Sequence, residues 1–256
     1  MLRGIDHLVI AVPDLTTAIG NYEALGFTVV PGGRHPVGTH NALISFQDDS
    51  YIELTAFSQP NPEHKWWAPL QRGGGLVDFC LQTDNLLGDT ALFRTAGVDI
   101  DDPSPLSRTR PDGYQLKWVL SIPRGAHRGG APFLIQDETP REERVPRQMV
   151  HRNGVMGISR VTVAVDDIEK VVPWYAAALG QPGEEVRNEE LVAAGARFVI
   201  GPHVFDFLAP RSAGSPLRSW LLARGASPYA ATLRTASGMT GLLDQAKTLD
   251  ARLSLA

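Results

Sequence analysis

One segment of the chain returns 153 residues later. Gly4-Ile5-Asp6-His7-Leu8-Val9-Ile10-Ala11-Val12-Pro13-Asp14-Leu15 is echoed by Gly157-Ile158-Ser159-Arg160-Val161-Thr162-Val163-Ala164-Val165-Asp166-Asp167-Ile168. At the same offset Tyr22 matches Tyr175 and Glu53 falls on Asp206, and Leu25-Gly26 matches Leu179-Gly180 after a one-residue slip. The correspondence continues at an offset of 152: Leu70-Gln71-Arg72-Gly73 with Leu222-Ala223-Arg224-Gly225, and Leu81-Gln82-Thr83 with Leu233-Arg234-Thr235. A near-constant shift over this much chain marks a duplicated domain. Each half is duplicated again, more weakly. The run His7 to Val12, closed by Pro13-Asp14-Leu15, has a counterpart in Asp78 to Thr83, closed by Asp84-Asn85-Leu86. The chain therefore holds up to four related units of roughly 60 to 75 residues.

Local signals give each unit a shape. Residues 5–12 are apolar and β-branched, as in a buried strand. Asp14 is placed to cap a helix carrying Leu15, Ile19, Tyr22 and Leu25 at helical spacing, and Gly26 ends it. Strands are expected at 27–30, 41–46 and 51–57, with Pro31-Gly32-Gly33 closing the first and a turn at 47–50. The unit reads β-α-β-β-β. Unit two repeats it, with strands at 76–83, 98–100, 114–122 and 132–136 and a helix at 86–96. Unit three spans 157–210. Unit four has a strand near 229–235 and a helix near 239–249, and then lacks about two strands. Truncation, a covering partner or decay of that half would each account for an edge that is otherwise an aggregation liability. The expected organisation is a domain over 1–139, an Arg-, Glu- and Pro-rich linker over 140–154, and a divergent second domain over 155–256. The fold class is α+β.

Composition narrows the function. The 24 Lys plus Arg against 28 Asp plus Glu leave a net charge of −4, which gives no electrostatic reason to bind nucleic acid. Cys80 is the single cysteine, so no disulfide framework or Cys-rich zinc module can form within the chain. In a buried strand it reads as an inert thiol. No apolar run reaches membrane-spanning length, so a cytoplasmic protein is expected. Gly73-Gly74-Gly75 is not a phosphate-binding fingerprint, and the metalloprotease and serine-hydrolase signatures are absent.

The paired β-α-β-β-β units, opening Ile5-Asp6-His7-Leu8-Val9-Ile10-Ala11-Val12-Pro13-Asp14-Leu15 and followed by Tyr22 and Leu25-Gly26-Phe27, resemble the vicinal oxygen chelate superfamily. That group includes glyoxalase I, extradiol dioxygenases and the fosfomycin and bleomycin resistance proteins. Pro31 to Pro36, Gly38 to Leu43, Tyr51-Ile52-Glu53-Leu54 and Pro132 to Ile135 are similar to its glyoxalase-like domain proteins. The resemblance is better over 4–139 than over 157–256. It implies that two units pair into a cupped half-barrel with a divalent metal (Zn, Mn, Fe, Co or Ni) inside, held from the first and fourth strands.

Carried onto this chain, those positions are His7 and Glu53 in unit one and Asp78 in unit two, with Gln136 or Ile135 at the fourth strand of unit two. In the second half they are Arg160, Asp206 and Ala230. Arginine cannot ligate, so the resemblance implies a structural second half. His7, Glu53 and Asp78 are one nitrogen and two oxygens, a set for hard or borderline ions and not the two-histidine, one-carboxylate set of non-haem iron oxygenases.

If Phe46 faces Tyr51 across the turn, then His40, Ala42, Ile44 and Glu53 share one face, with His40 roughly 13 Å along the strand from Glu53. His40 is then a candidate for substrate contact or proton transfer, with Glu53 the other possible proton carrier, or else a backbone-bonded loop histidine. Trp66, Trp67 and Trp118 either wall an apolar pocket or pack in the core. Arg108-Thr109-Arg110-Pro111-Asp112-Gly113 either clamps an anionic substrate through Arg108 and Arg110 or forms a solvated loop. The expected activity is metal-dependent lyase or isomerase chemistry of the glyoxalase type on a small molecule. A metal-free small-molecule binder and an extradiol-type dioxygenase are the alternatives, and a homodimer is plausible because cups of this kind often pair across chains.

Overall fold

A computed structural model describes residues 1–110 and 112–256; Pro111, within the arginine segment, lies outside the described residues. In chain order the first unit is β1 (Leu2–Ala11), α1 (Leu15–Ala24), β2 (Val30–Arg34), β3 (Thr39–Ser45) and β4 (Tyr51–Phe57). A short α2 (Trp67–Gln71) leads to β5 (Gly75–Thr83), α3 (Leu86–Thr95), β6 (Ser104–Thr109), β7 (Gln115–Ser121) and β8 (Phe133–Asp137). After α4 (Arg141–Arg144) come β9 (Val155–Ala164), α5 (Ile168–Leu179), β10 (Glu184–Asn188), β11 (Ala193–Ile200) and β12 (His203–Pro210). Then follow α6 (Pro216–Arg224), β13 (Ser227–Thr235), β14 (Gly241–Leu242), α7 (Gln245–Thr248) and β15 (Leu253–Leu255). Among the described residues no helix is long and apolar enough to cross a membrane.

The paired β-α-β-β-β units expected from the repeat are present. Units one and two join along β1 and β5 and close at a single β2–β6 bridge, Arg34 to Thr109, into an eight-stranded barrel. The second half is an open seven-stranded sheet. The repeat is exact where it matters: β1 runs parallel to β4 with His7 opposite Tyr51, and β9 runs parallel to β12 with Arg160 opposite Val204, the same pairing displaced by 153. Asp14 caps α1 by accepting from the Thr17 N–H, and Gly180 ends α5 in the left-handed conformation.

Three local expectations are corrected. The strand expected at 27–30 lies at Val30–Arg34, so Pro31-Gly32-Gly33 is within it; a register shift between Pro31 and Gly33 accommodates the missing N–H. The strand expected at 98–100 is reduced to an isolated Ile100–Pro123 bridge, and the real strand, β6, is the polar Ser104–Thr109. The helix expected at 239–249 is only Gln245–Thr248, because Gly238 and Gly241 adopt positive φ and turn the chain into β14 first. Unit four still contributes two short strands, with β15 parallel to β13 as β8 is to β5.

The two halves share one core. Leu8, Ile10 and Phe79 on the outer face of the barrel, Val161, Val163, Phe205 and Phe207 of the second sheet, and Tyr22, Phe93 and Tyr175 of the helices form a continuous buried cluster. Phe79 and Phe205 meet with ring centroids 5.5 Å apart. Phe79→Ala is therefore expected to cost about 3–5 kcal/mol and to leave urea unfolding a single transition. Two separated transitions would contradict a shared core.

Candidate functional site

The alternation of strands sets which side chains enter the barrel. Ser45 lies opposite Tyr51, Leu43 opposite Glu53 and Asn41 opposite Thr55. This is one residue off the expected register, in which Phe46 faced Tyr51. A five-residue connection from Phe46 to Ser50, with Asp49 at positive φ, makes the difference. A one-residue slip turns a whole strand over. Ala42, Ile44 and Phe46 are therefore turned away from the cavity, His40 lies opposite Ala56, and Thr39 and Asn41 face the interior. His40, expected near the substrate, does not line the cavity.

The barrel encloses a cavity of about 460 Å³. At its inner end His7 is 5% exposed, stacked on Tyr51 at 4.7 Å between ring centroids and edge-on to Phe133 at 5.3 Å. Its Nδ1 is 2.7 Å from Asp6 Oδ1 and its Nε2 is 3.3 Å from Glu53 Oε2. His35 Nε2 approaches the other Glu53 oxygen at 3.9 Å, and its Nδ1 is 2.9 Å from Thr39 Oγ1. Asn41 Nδ2 donates to Glu53 Oε1. Gly32 permits this approach, since a Cβ there would meet Asn41 Oδ1 at 2.1 Å.

Burial works against the Glu53 charge, but hydrogen bonding and the positive potential of His7 hold its carboxyl down at about 2. Burial likewise disfavours a charged His7, yet the hydrogen bonds to Asp6 and Glu53 outweigh it and raise the imidazole above its usual 6.5. His64, at the cavity wall, is pushed down to about 4, first by burial and then by Lys65.

Behind His7 lies a buried ion network. Asp6 is wholly buried; Arg144 Nη2 is 2.7 Å from Asp6 Oδ2 and 2.9 Å from Asp137 Oδ2, Arg144 Nη1 donates to Tyr51 Oη at 2.8 Å, and Arg141 also pairs with Asp6. Both arginines come from α4, in the stretch read from the sequence as a polar linker.

The other expected residues are distributed unevenly. Trp66, Trp118 and Arg108 line the cavity. Trp67 instead packs edge-on against Phe57 at 5.1 Å. Arg110 lies outside, pairing with Asp112 and Glu143. Asp78 is buried but apart from His7 and Glu53. Its Oδ2 accepts from Trp66 Nε1 at 2.9 Å and pairs with Lys65 Nζ at 2.7 Å, while its Oδ1 accepts from the Phe79 N–H.

His35, Asn41, Asp6 and Arg144 were missed. The one signal for Asp6 was its place beside His7 in a buried run, where an acid needs a partner.

The donor set suits a divalent cation. In the neutral ring Asp6 would hold the Nδ1 proton and free Nε2, which faces Glu53, to ligate, the carboxylate–histidine arrangement that orients metal ligands. Among the described residues, Asp6, His7 and Cys80 also bring ligand atoms within 4.8 Å of one another. That trio is the poorer cradle, because both Asp6 oxygens are bound by arginine and burial pushes the Cys80 thiol well up. In the second half the corresponding place holds an ion pair: Arg197 grips Asp206 through two bonds of 2.6 and 3.0 Å, with Arg160 at 3.6 Å.

Comparison with known proteins agrees with this architecture. A family model described as glyoxalase-like domain matches residues 5–179. No curated protein sequence matches the chain. Among solved structures, a hypothetical protein from Staphylococcus aureus superposes with a TM-score of 0.71 at 14% identity, covering 100% of this chain and 99% of its own. A mutant of 4-hydroxymandelate synthase from Streptomyces coelicolor gives 0.61 at 16% identity, covering 92% and 72%. A fusion of a xylose isomerase-like TIM barrel with 4-hydroxyphenylpyruvate dioxygenase gives 0.54 at 14%, covering 92% and 37%. At these identities the structural likenesses establish the fold alone. With the family model matched over most of its length, the chain belongs to the glyoxalase-like domain family.

Proposed function

We propose that the protein is a metal-dependent enzyme of the glyoxalase type, an isomerase or lyase acting on a small molecule with two neighbouring oxygens. The observation that carries this is the His7–Glu53 pair, 3.3 Å apart at the inner end of the cavity with Asp6 fixing the imidazole. His7 and Glu53 would hold a divalent ion (Zn, Mn, Fe, Co or Ni), with His35 as the third donor in place of Asp78, whose carboxylate is engaged by Lys65 and Trp66. When bound, such an ion supplies a Lewis acid that stabilises negative charge on a substrate oxygen. Tyr51 and Asp6 keep His7 from turning. A protein that binds a small molecule without metal uses the same cavity and is the opposing outcome of the metal measurements below.

A second reading follows from His35. Two histidines and one carboxylate are the donor types of non-haem iron oxygenases, so an extradiol-type dioxygenase is the competing chemistry. A screen of 2-oxoaldehyde–thiol adducts and catechols, each with and without chelator, separates the two. Chelator-sensitive turnover of the adducts supports the lyase or isomerase; oxygen uptake with catechols supports the dioxygenase.

The raised His7 pKa gives a pH test. In metal-free protein the stabilisation from protonated His7 is fully present below about 6.5 and is lost as pH rises through the raised value. Metal needs the neutral ring, so loading should do the reverse and fall as pH drops through that same window. Melting temperatures of stripped and metal-loaded protein should therefore diverge as pH rises. Parallel curves would argue against His7 as a ligand.

A further inference from the structure

Four lysine or arginine side chains line the cavity: Lys65, Arg108, Arg124 and Arg144. Three have a carboxylate of their own. Lys65 pairs with Asp78, Arg124 with Asp101 and Arg144 with Asp6 and Asp137. Arg108 alone has no carboxylate within 4.0 Å among the described residues. It is only 4% exposed, it donates to neutral acceptors (Asn41 Oδ1 at 3.3 Å and the Arg144 carbonyl at 3.0 Å), and its Nε is buried with no hydrogen-bond partner. Burial lowers its pKa, and the pull of Tyr51 and Glu53, neither in contact with it as an ion pair, offsets that only in part. Asn41 bridges Arg108 to Glu53, accepting from the guanidinium through Oδ1 and donating to the carboxylate through Nδ2.

The wall beside Arg108 is apolar and elongated. On the β6–β7 ladder Arg108 faces Leu116, the next inward pair is Leu106 with Trp118, and the next is Ser104 with Leu120. Four residues of strand separate Arg108 from Ser104, roughly 13 Å. Phe133 and Ile135, on the adjacent strand β8 where Ile135 pairs with Leu120, extend this wall.

We propose that Arg108 is the anchor for a carboxylate, and that the ligand of this cavity is a monoanionic carboxylic acid whose apolar, aryl-sized body lies along Leu106, Trp118 and Leu120. The anion completes the hydrogen bonding of the guanidinium through a charge-assisted contact. This names the ligand class of the cavity used in the proposed function and rests on that reading only in sharing the cavity.

The test uses matched pairs: 3-phenylpropanoate and 2-naphthylacetate against their primary amides, titrated calorimetrically into the purified protein before and after chelator treatment. Wild type should prefer each acid over its amide by about 10- to 100-fold. Arg108→Gln should remove that preference, bringing acid affinity down to that of the amide, whereas Trp118→Ala should weaken acid and amide alike. Should Arg108→Gln not fold, the Arg108 Nε–H resonance of wild type serves instead and should shift with acid and not with amide. The proposal is overturned by equal affinity for acid and amide in wild type, by a preference that survives Arg108→Gln, or by a resonance that ignores the acid. A preference abolished by chelator while Arg108 is intact overturns it too, because the metal then reads the charge, and it leaves the metal reading standing. An Arg108-dependent preference in protein that never holds metal supports the proposal and removes the metal reading.

Discussion

Arg144→Met is expected to destabilise the protein by about 3–5 kcal/mol, among the largest effects of any single polar substitution in the chain. Arg144 is 3% exposed and neutralises Asp6, which is wholly buried, together with Asp137. Methionine fills much of the volume but leaves Asp6 with Arg141 as its one guanidinium, beside His7, and the Tyr51 hydroxyl without its donor. Removing one partner of a buried pair exposes the full desolvation cost of the other. Urea unfolding at pH 7 should show a lower midpoint with an unchanged slope. Adding Asp6→Asn should recover part of the loss, since the orphaned charge goes with it. A loss below about 1 kcal/mol would show that the network carries little of the stability.

The second large effect concerns Glu53→Gln. The amide keeps the shape and the neighbours of the carboxylate, so the fold should survive. The site, however, loses the only anionic ligand among His7, His35 and Glu53. Orienting partners of metal ligands are worth about 10–100-fold in affinity. Asp6→Asn should fall in that range, because Asp6 touches His7 and not the ion. Glu53→Gln should lose more than Asp6→Asn, read by competition against a fluorescent chelator. If both variants hold metal as wild type does, the ion is bound elsewhere.

The fold was legible because a duplicated pattern needs only offsets to be seen. Identical spacing of Gly4, Ile5, Tyr22 and Glu53 with Gly157, Ile158, Tyr175 and Asp206 reproduced the β1–β4 pairing in β9–β12. Side-chain direction was harder. A turn at 47–50 puts Ala42, Ile44 and Phe46 beside Glu53 inside the cup; Ile44 and Phe46 instead join the equally apolar core shared by the two halves. A barrel of this kind is buried on both faces, and apolarity then does not tell which face is inner. The misplaced turn turned His40 inward and left Asn41 out of account.

His35 could not be read because it follows Gly32-Gly33, taken as a turn, and reaches Glu53 only because β2 extends to Arg34. Arg144 was hidden in an Arg-Glu-Glu-Arg run that looks solvated; only the tertiary structure supplies the buried acids it meets. Arg108 falls in a segment that the sequence offers either as an anion clamp or as a solvated loop; at Arg108 the loop reading fails, because the residue belongs to strand β6 and is buried.

The central claim is that the inner end of the barrel, at His7, holds one divalent metal ion. Elemental analysis of purified wild-type protein and His7→Ala, with folding checked by circular dichroism, tests it most directly. The account predicts about one equivalent of metal per chain in wild type and its loss in the variant with the fold intact. No metal in wild type even after loading, or equal metal in both proteins, would contradict it.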